Sequence, residues 1–245
     1  YMHRHAMSEA DLGGQAVASH AWAALNPLSL KPRLLSISDY LGSRCIASPL
    51  RVHDCAFPVN GGAAVVVSAL EGLKDAPHAP VFVHGMGQGH ASVPRMAHGV
   101  LDASHALFAV NEGEFRTPGT EAGTRAFAMA GIDAGSVSQC QFYDAFSFNV
   151  TAALEDYGLV PRGEGMRFIA QGHTSPGGRL PVNTGGGQLA GFYLQGMTPL
   201  VEAVVQGRAE AGARQAGNDV ILLNGSGGTL EYHAALVLSP HRVLS

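Results

Sequence analysis

Apolar positions along the chain follow two periods, one helical and one of strand length. Over residues 9–25, Ala16, Val17, His20, Ala21 and Ala24 recur at helical spacing and Asn26-Pro27 stops the run, which predicts a helix. The stretch from there to about Leu50 carries Pro32 and Pro49 and reads as irregular. Ala63-Ala64-Val65-Val66-Val67 follows Asn60-Gly61 as a continuous apolar run, the pattern of a strand covered on both faces. Residues 72–80, with Lys74, Asp75, Pro77 and Pro80, form a polar, proline-bearing boundary. Beyond it, Val81-Phe82-Val83 predicts a short buried strand. Thr117-Pro118 predicts a helix through Ala130, with Thr as cap and Pro at the first helical position. A strand over 137–142, a helix over 146–157, a helix from Thr198-Pro199 to about Ala209, and strands over 220–223 and 232–238 complete the pattern. The last two strands are expected to join through a turn at Gly225-Ser226-Gly227-Gly228. Strands alternating with helices predict a layered α/β fold.

Composition narrows the function classes. The chain has 245 residues, 46% hydrophobic and 14% charged, enough for one large core or two small ones. Its net charge of −4 supplies no basic field for nucleic acid or an anionic membrane surface. No apolar stretch reaches the length of a membrane span, and no signal-peptide layout opens the chain, so a cytoplasmic location is expected. Cys45, Cys55 and Cys140 are odd in number and lack CxxC spacing, which encodes neither a disulfide framework nor a zinc ribbon and fits a reducing compartment. The chain opens at Tyr1, straight into His3-Arg4-His5, and reads as trimmed.

Three motifs invite chemistry and fall short of it. Gly85-Met86-Gly87-Gln88-Gly89 follows a strand as a dinucleotide turn would, but His90 stands where the third glycine belongs, and Asp102 sits inside a predicted helix. A glycine-rich strand-to-helix loop is the expectation there. Twelve histidines include His84, His90 and His98, yet none has ligand spacing or an acidic companion, so no metal is expected. Gly225-Ser226-Gly227 lacks the Gly-x-Ser-x-Gly spacing of a nucleophile elbow and reads as a turn of backbone donors. Tyr143, at a predicted strand end within Tyr143-Asp144-Ala145-Phe146, and Tyr193, 50 residues on, are the remaining candidates. Taken alone, a tyrosine in such a place is more often core than catalyst, because a phenol serves as acid or base only where its site tunes it.

A set of ordered segments changes that picture. Tyr1-Met2-His3, Ala24-Leu25-Asn26-Pro27, Pro49-Leu50-Arg51, Asn60-Gly61-Gly62-Ala63-Ala64, Tyr143-Asp144-Ala145-Phe146 and Gly163-Glu164-Gly165 are six of them. Leu180-Pro181-Val182-Asn183-Thr184-Gly185-Gly186-Gly187 and Asn224-Gly225-Ser226-Gly227-Gly228 complete the set. In these segments, and in their order, the chain resembles about the C-terminal three-fifths of a thiolase-superfamily protein of the sterol-carrier-associated branch. The resemblance implies the layered αβαβα thiolase-like fold, with a loop-domain segment over 1–50, the end of a partial N-terminal half over 51–76, and a complete C-terminal half over 77–245. It also implies a homodimer.

The departures from the family pattern suggest which reaction to expect. Thiolases of this branch place Asn or His where Tyr143 stands, a catalytic His where Tyr193 aligns, and, in degradative members, a second Cys near Leu223 or Asn224. Claisen cleavage needs the thiolate and the histidine that these replacements remove. Retro-aldol cleavage instead needs a base, an acid and donors to an enolate oxygen, which phenols and backbone N–H groups can supply. The resemblance to the aldolase branch, which has tyrosines at both places, implies retro-aldol cleavage of a steroid-type β-hydroxyacyl-CoA. Tyr143 and Tyr193 are then the catalytic pair, and Gly186, Gly187, Asn224, Gly225, Ser226 and Gly227 the substrate- and oxyanion-binding backbone. No cofactor is implied beyond the coenzyme A thioester itself, and members of that branch work with a small partner bearing a zinc ribbon and an OB-fold. The alternatives are a β-oxoacyl-CoA thiolase whose Cys lies in an N-terminal part, and a non-catalytic lipid-binding or scaffold subunit.

Overall fold

A computed structural model of the chain describes residues 1–90, 115–228 and 230–244, with the side chain of Asp75 excepted. The predicted first helix forms as α1 (Glu9–Ala23). A capping box starts it: Ser8 Oγ accepts the Asp11 N–H at 3.3 Å, and the Asp11 carboxylate accepts the Ser8 N–H at 2.7 Å. Ser36 and Asp39 repeat the device to start α2 (Ile37–Gly42), a short helix inside the stretch expected to be irregular. β1 (Cys45–Ala47) and β2 (Leu50–Arg51) then pair as a small antiparallel ribbon.

The run from Ala63 to Val67 is not a buried strand. No strand is assigned over 61–69, and Val66 and Val67 are 95% and 86% exposed. A run that is apolar on both faces is buried only when strands flank it and layers cover it, and no described strand lies beside this one.

The main sheet consists of β3 (Phe82–His90), β4 (Gln139–Gln141), β5 (Ile221–Gly227) and β6 (Tyr232–Ser239), in the order β3-β6-β5-β4. β6 runs antiparallel to both neighbours, while β4 and β5 are parallel, with Gln141 beside Leu223. The predicted helices appear as α3 (Gly119–Ala130), α4 (Ser147–Asp156) and α6 (Met197–Gly207), joined by α5 (Gly165–Ala170). Ala122, Ala126, Val150, Leu154, Phe142 and Val237 share one core cluster. Ala203 of α6 packs with Ile221, Leu223 and Leu238 in a second.

Two glycine-rich segments, one expected as a strand-to-helix loop and one as a turn, are strands. Gly85, Gly87 and Gly89 alternate along β3, and a Cβ on them would run into the backbone carbonyls of Ala126, Ala122 and Pro118 respectively. Those carbonyls lie four residues apart on one face of α3, so the period of two in the strand meets one helical repeat and helix backbone rests on strand backbone. The glycines serve close packing, not phosphate binding. Gly225, Ser226 and Gly227 likewise belong to β5, opposite Ala234, His233 and Tyr232, and the reversal comes only after them. Asp102 and His98 lie outside the described residues. α3 begins one residue later than expected, with Pro118 as its N-cap, and Thr117 Oγ1 just ahead accepts the Gly119 N–H at 3.0 Å.

Candidate active site

The carboxyl ends of the parallel strands β4 and β5 carry the candidate residues, the place where open α/β sheets hold their ligands. β4 ends at Gln141, and the chain continues through Phe142 to Tyr143. Two buried asparagines grip this exit: Asn183 Oδ1 accepts the Phe142 N–H at 2.6 Å, and Asn224 Oδ1, from β5, accepts the Tyr143 N–H at 2.7 Å. Residues 181–183 run alongside β4 through an isolated bridge, Cys140 with Val182, and Asn183 adopts a left-handed φ of 55° before the glycine triplet.

That triplet leads into one wide turn, Gly187–Gly191, closed by the Phe192 N–H donating to the Gly187 carbonyl at 3.0 Å. Phe192 leaves it extended and delivers Tyr193. The two phenol oxygens, Tyr143 Oη and Tyr193 Oη, lie 3.3 Å apart, and both rings are half-buried. Burial and the neighbouring phenol push the Tyr143 hydroxyl well above the usual phenol range, so it rests as a neutral O–H.

The turn is held from two sides. The Asn26 amide donates to the Gly185 carbonyl at 2.9 Å, the Lys31 N–H to Ala190 at 3.1 Å, and Lys31 Nζ to Leu189 at 3.2 Å. Lys31 also sits 3.7 Å above the Phe57 ring, a cation–π contact. On the other side, Asp144 is fully buried and its Oδ1 accepts the Gln188 N–H at 2.8 Å. Burial pushes the Asp144 carboxyl up to about 7, against the pull of the Gln188 N–H and the Asn183 amide.

The residues proposed from sequence therefore fall into two groups. Tyr143, Tyr193 and Asn224 converge, and Gly186 and Gly187 build the turn that brings Tyr193 in. Gly225 follows Asn224 on the same strand, with nothing within 4 Å of where its Cβ would lie, so its α-carbon faces open space. Ser226 and Gly227 continue down β5. Sequence reasoning gave no role to Asp144, Asn183, Asn26 or Lys31. Asp144 and Asn183 stand inside the quoted segments, but which backbone groups they reach is set by contacts across 40 or more residues. A cavity of about 130 Å³ lies behind the turn, lined by Asn26, Phe142, Asn183, Gly187, Phe192 and Glu202 and by neither tyrosine. Among the described residues no three His, Cys, Asp or Glu side chains gather as a metal site, and no helix is long and apolar enough to cross a membrane.

Comparison with known proteins extends this geometry. Residues 103–240 match a family model described as thiolase C-terminal domain-like. A steroid side-chain-cleaving aldolase of Thermomonospora curvata is 34% identical over 83% of the chain, and a 17-hydroxy-3-oxo-4-pregnene-20-carboxyl-CoA lyase of Mycobacterium tuberculosis 32% identical over 93%. The solved Ltp2-ChsH2(DUF35) aldolase superposes over the whole chain with a TM-score of 0.86 and 31% identity. The chain spans 50% and 57% of the length of the two curated relatives and 62% of the solved one.

Proposed function

The chain belongs to the thiolase C-terminal domain-like family, and from that premise we propose that it supplies the acid–base half of an acyl-CoA retro-aldolase. The observation that carries this reading is the pair of phenols 3.3 Å apart at the strand ends. The substrate class is a β-hydroxyacyl-CoA with a bulky, steroid-type acyl group, supported by the two relatives named for such cleavage. One phenolate takes the proton of the β-hydroxyl, whose oxygen becomes a carbonyl as the bond between the α- and β-carbons breaks. The electron pair passes to the thioester as an enolate, and a phenol O–H then protonates its α-carbon to release the shortened acyl-CoA. Tyr143 suits the donor role, because burial and its neighbour keep it protonated. Backbone groups near Gly186, Gly187 and Gly225 are the proposed donors to the enolate oxygen. No cofactor beyond the thioester enters this chemistry.

The solved aldolase is an Ltp2-ChsH2(DUF35) assembly, which supports a partner subunit for this protein; that partner is proposed to be small and to bear a zinc ribbon and an OB-fold, and the complete protein is expected to be a homodimer. In domain terms, residues 1–50 form a loop-domain segment, 51–76 the end of the N-terminal half and 77–245 the C-terminal half. The test is to incubate the complete protein, with and without that partner, with β-hydroxyacyl-CoA and β-oxoacyl-CoA esters and to weigh the products. Cleavage of the hydroxy ester to a carbonyl compound and a shortened acyl-CoA is expected. Thiolysis of the oxo ester alone would return the protein to thiolase chemistry, and no turnover of either would leave a binding subunit.

A further inference from the structure

We infer that Asp144 is a positioning residue that sets the distance between the two phenols, a role that rests on the retro-aldolase reading for its kinetic consequence. Asp144 directly follows Tyr143, whose N–H is fixed by Asn224 at 2.7 Å. Its own carboxylate reaches 44 residues along the chain to accept the Gln188 N–H at 2.8 Å, at the start of the turn that ends in Tyr193. One buried side chain thus ties the backbone of the first tyrosine to the turn that carries the second.

Gly187 shows how closely the two are fitted. Its φ is +58°, and a Cβ there would fall well inside van der Waals contact distance of Asp144 Oδ2 and lie 2.9 Å from Asn183 Nδ2. The turn approaches the carboxylate only because that atom is missing. Four residues separate Gln188 from Tyr193, and the turn between them closes on itself, so a shift at Gln188 passes to the phenol with little slack. Proton transfer within one pair tolerates such a shift badly, because misplacement of about 1 Å can cost on the order of 10²-fold in rate.

The test uses the complete protein with its partner. Asp144→Ala is expected to lower kcat roughly 10–100-fold with KM within about threefold, and Asp144→Asn, which keeps a carbonyl oxygen for Gln188, to recover most of that loss. Gly187→Ala is expected to lower kcat similarly, and the combination with Asp144→Ala to be no worse than the worse single change, since the added methyl then meets no carboxylate. A purely structural role would lower Tm and the yield of active protein while leaving kcat per folded molecule unmoved, and that result overturns the inference. If the Ala variant does not fold, Asp144→Asn and Gly187→Ala are read by crystallography. The phenol oxygens should stay near hydrogen-bonding distance in the first and separate in the second, and an unchanged separation in Gly187→Ala overturns the inference. Absence of turnover by the unmodified protein bears on the retro-aldolase reading alone, because the phenol separation is measured without substrate.

Discussion

In the proposed proton transfer a phenol is a poor shuttle at neutral pH, and burial raises the Tyr143 hydroxyl further, so the worth of the pair lies in the mutual position of its oxygens. Replacing either by Phe removes one hydroxyl and leaves the ring packing. Each change is therefore expected to lower turnover roughly 10²–10⁴-fold with little change in melting temperature, and the double variant to be scarcely worse than the worse single. Steady-state kinetics beside thermal melts check this, and retained β-hydroxyacyl-CoA cleavage in both variants would return the tyrosines to the core.

Asp144 supports a second prediction at the same scale. Its carboxyl titrates at about 7 in the fold against 3.8 in the free side chain. Between those values the native state holds a proton that the unfolded state has lost, so this residue's contribution to stability falls as pH rises from about 4 to about 7. Asp144→Asn removes that titration, and its stability relative to the parent should rise across the window by on the order of a few kcal/mol. His20, His53 and His233 are held below the usual histidine range, chiefly by burial, and have the opposite slope. Denaturant melts of parent and variant at matched pH cancel those terms, and a flat difference would place the Asp144 carboxyl near its ordinary value.

At the scale of elements, the fit between β3 and α3 decides how rigidly the sheet is built. Gly87 lies in the middle of the three-glycine face, where a methyl group would press on the Ala122 carbonyl and the Ala126 nitrogen. Backbone cannot yield as a side chain end does, so Gly87→Ala should destabilise by about 1–3 kcal/mol. In a chain of this size that lowers Tm by roughly 2–4 °C per kcal/mol, read by calorimetry. Gly225→Ala, with no atom within 4 Å of its added carbon, is the control and should leave Tm close to the parent's. Equal losses in the two variants would mean that β strand propensity, not the helix contact, is what these glycines govern.

For the whole molecule the exposed strip Val65, Val66, Val67 and Leu70 is the most telling surface. Apolar area costs about 25 cal/mol per Å² left in water, and contiguous patches of this kind mark interfaces. The strip supports the expectation that the complete protein buries it between chains or against further sequence. Light scattering on the complete protein at micromolar concentration should report at least a dimer, and a clean monomer would sink that expectation.

The sequence by itself determined the elements whose signal is local. The helical period of α1, the Thr117-Pro118 start of α3, the strand ahead of Tyr143 and the α/β alternation all follow from short-range patterning, and each stands in the structure within a few residues. It also carried Tyr143 and Tyr193 as a pair, through segment resemblance, not through any physical rule that joins positions 50 apart. Only the tertiary structure decided that the glycines of β3 and β5 lie in strands, because a glycine's backbone freedom leaves turn and strand alike open until a partner occupies the space. The same holds for the turn that carries Tyr193: Asn26, Lys31 and Asp144 hold it through hydrogen bonds to backbone groups, and backbone groups leave no mark on the side-chain pattern from which a sequence is read.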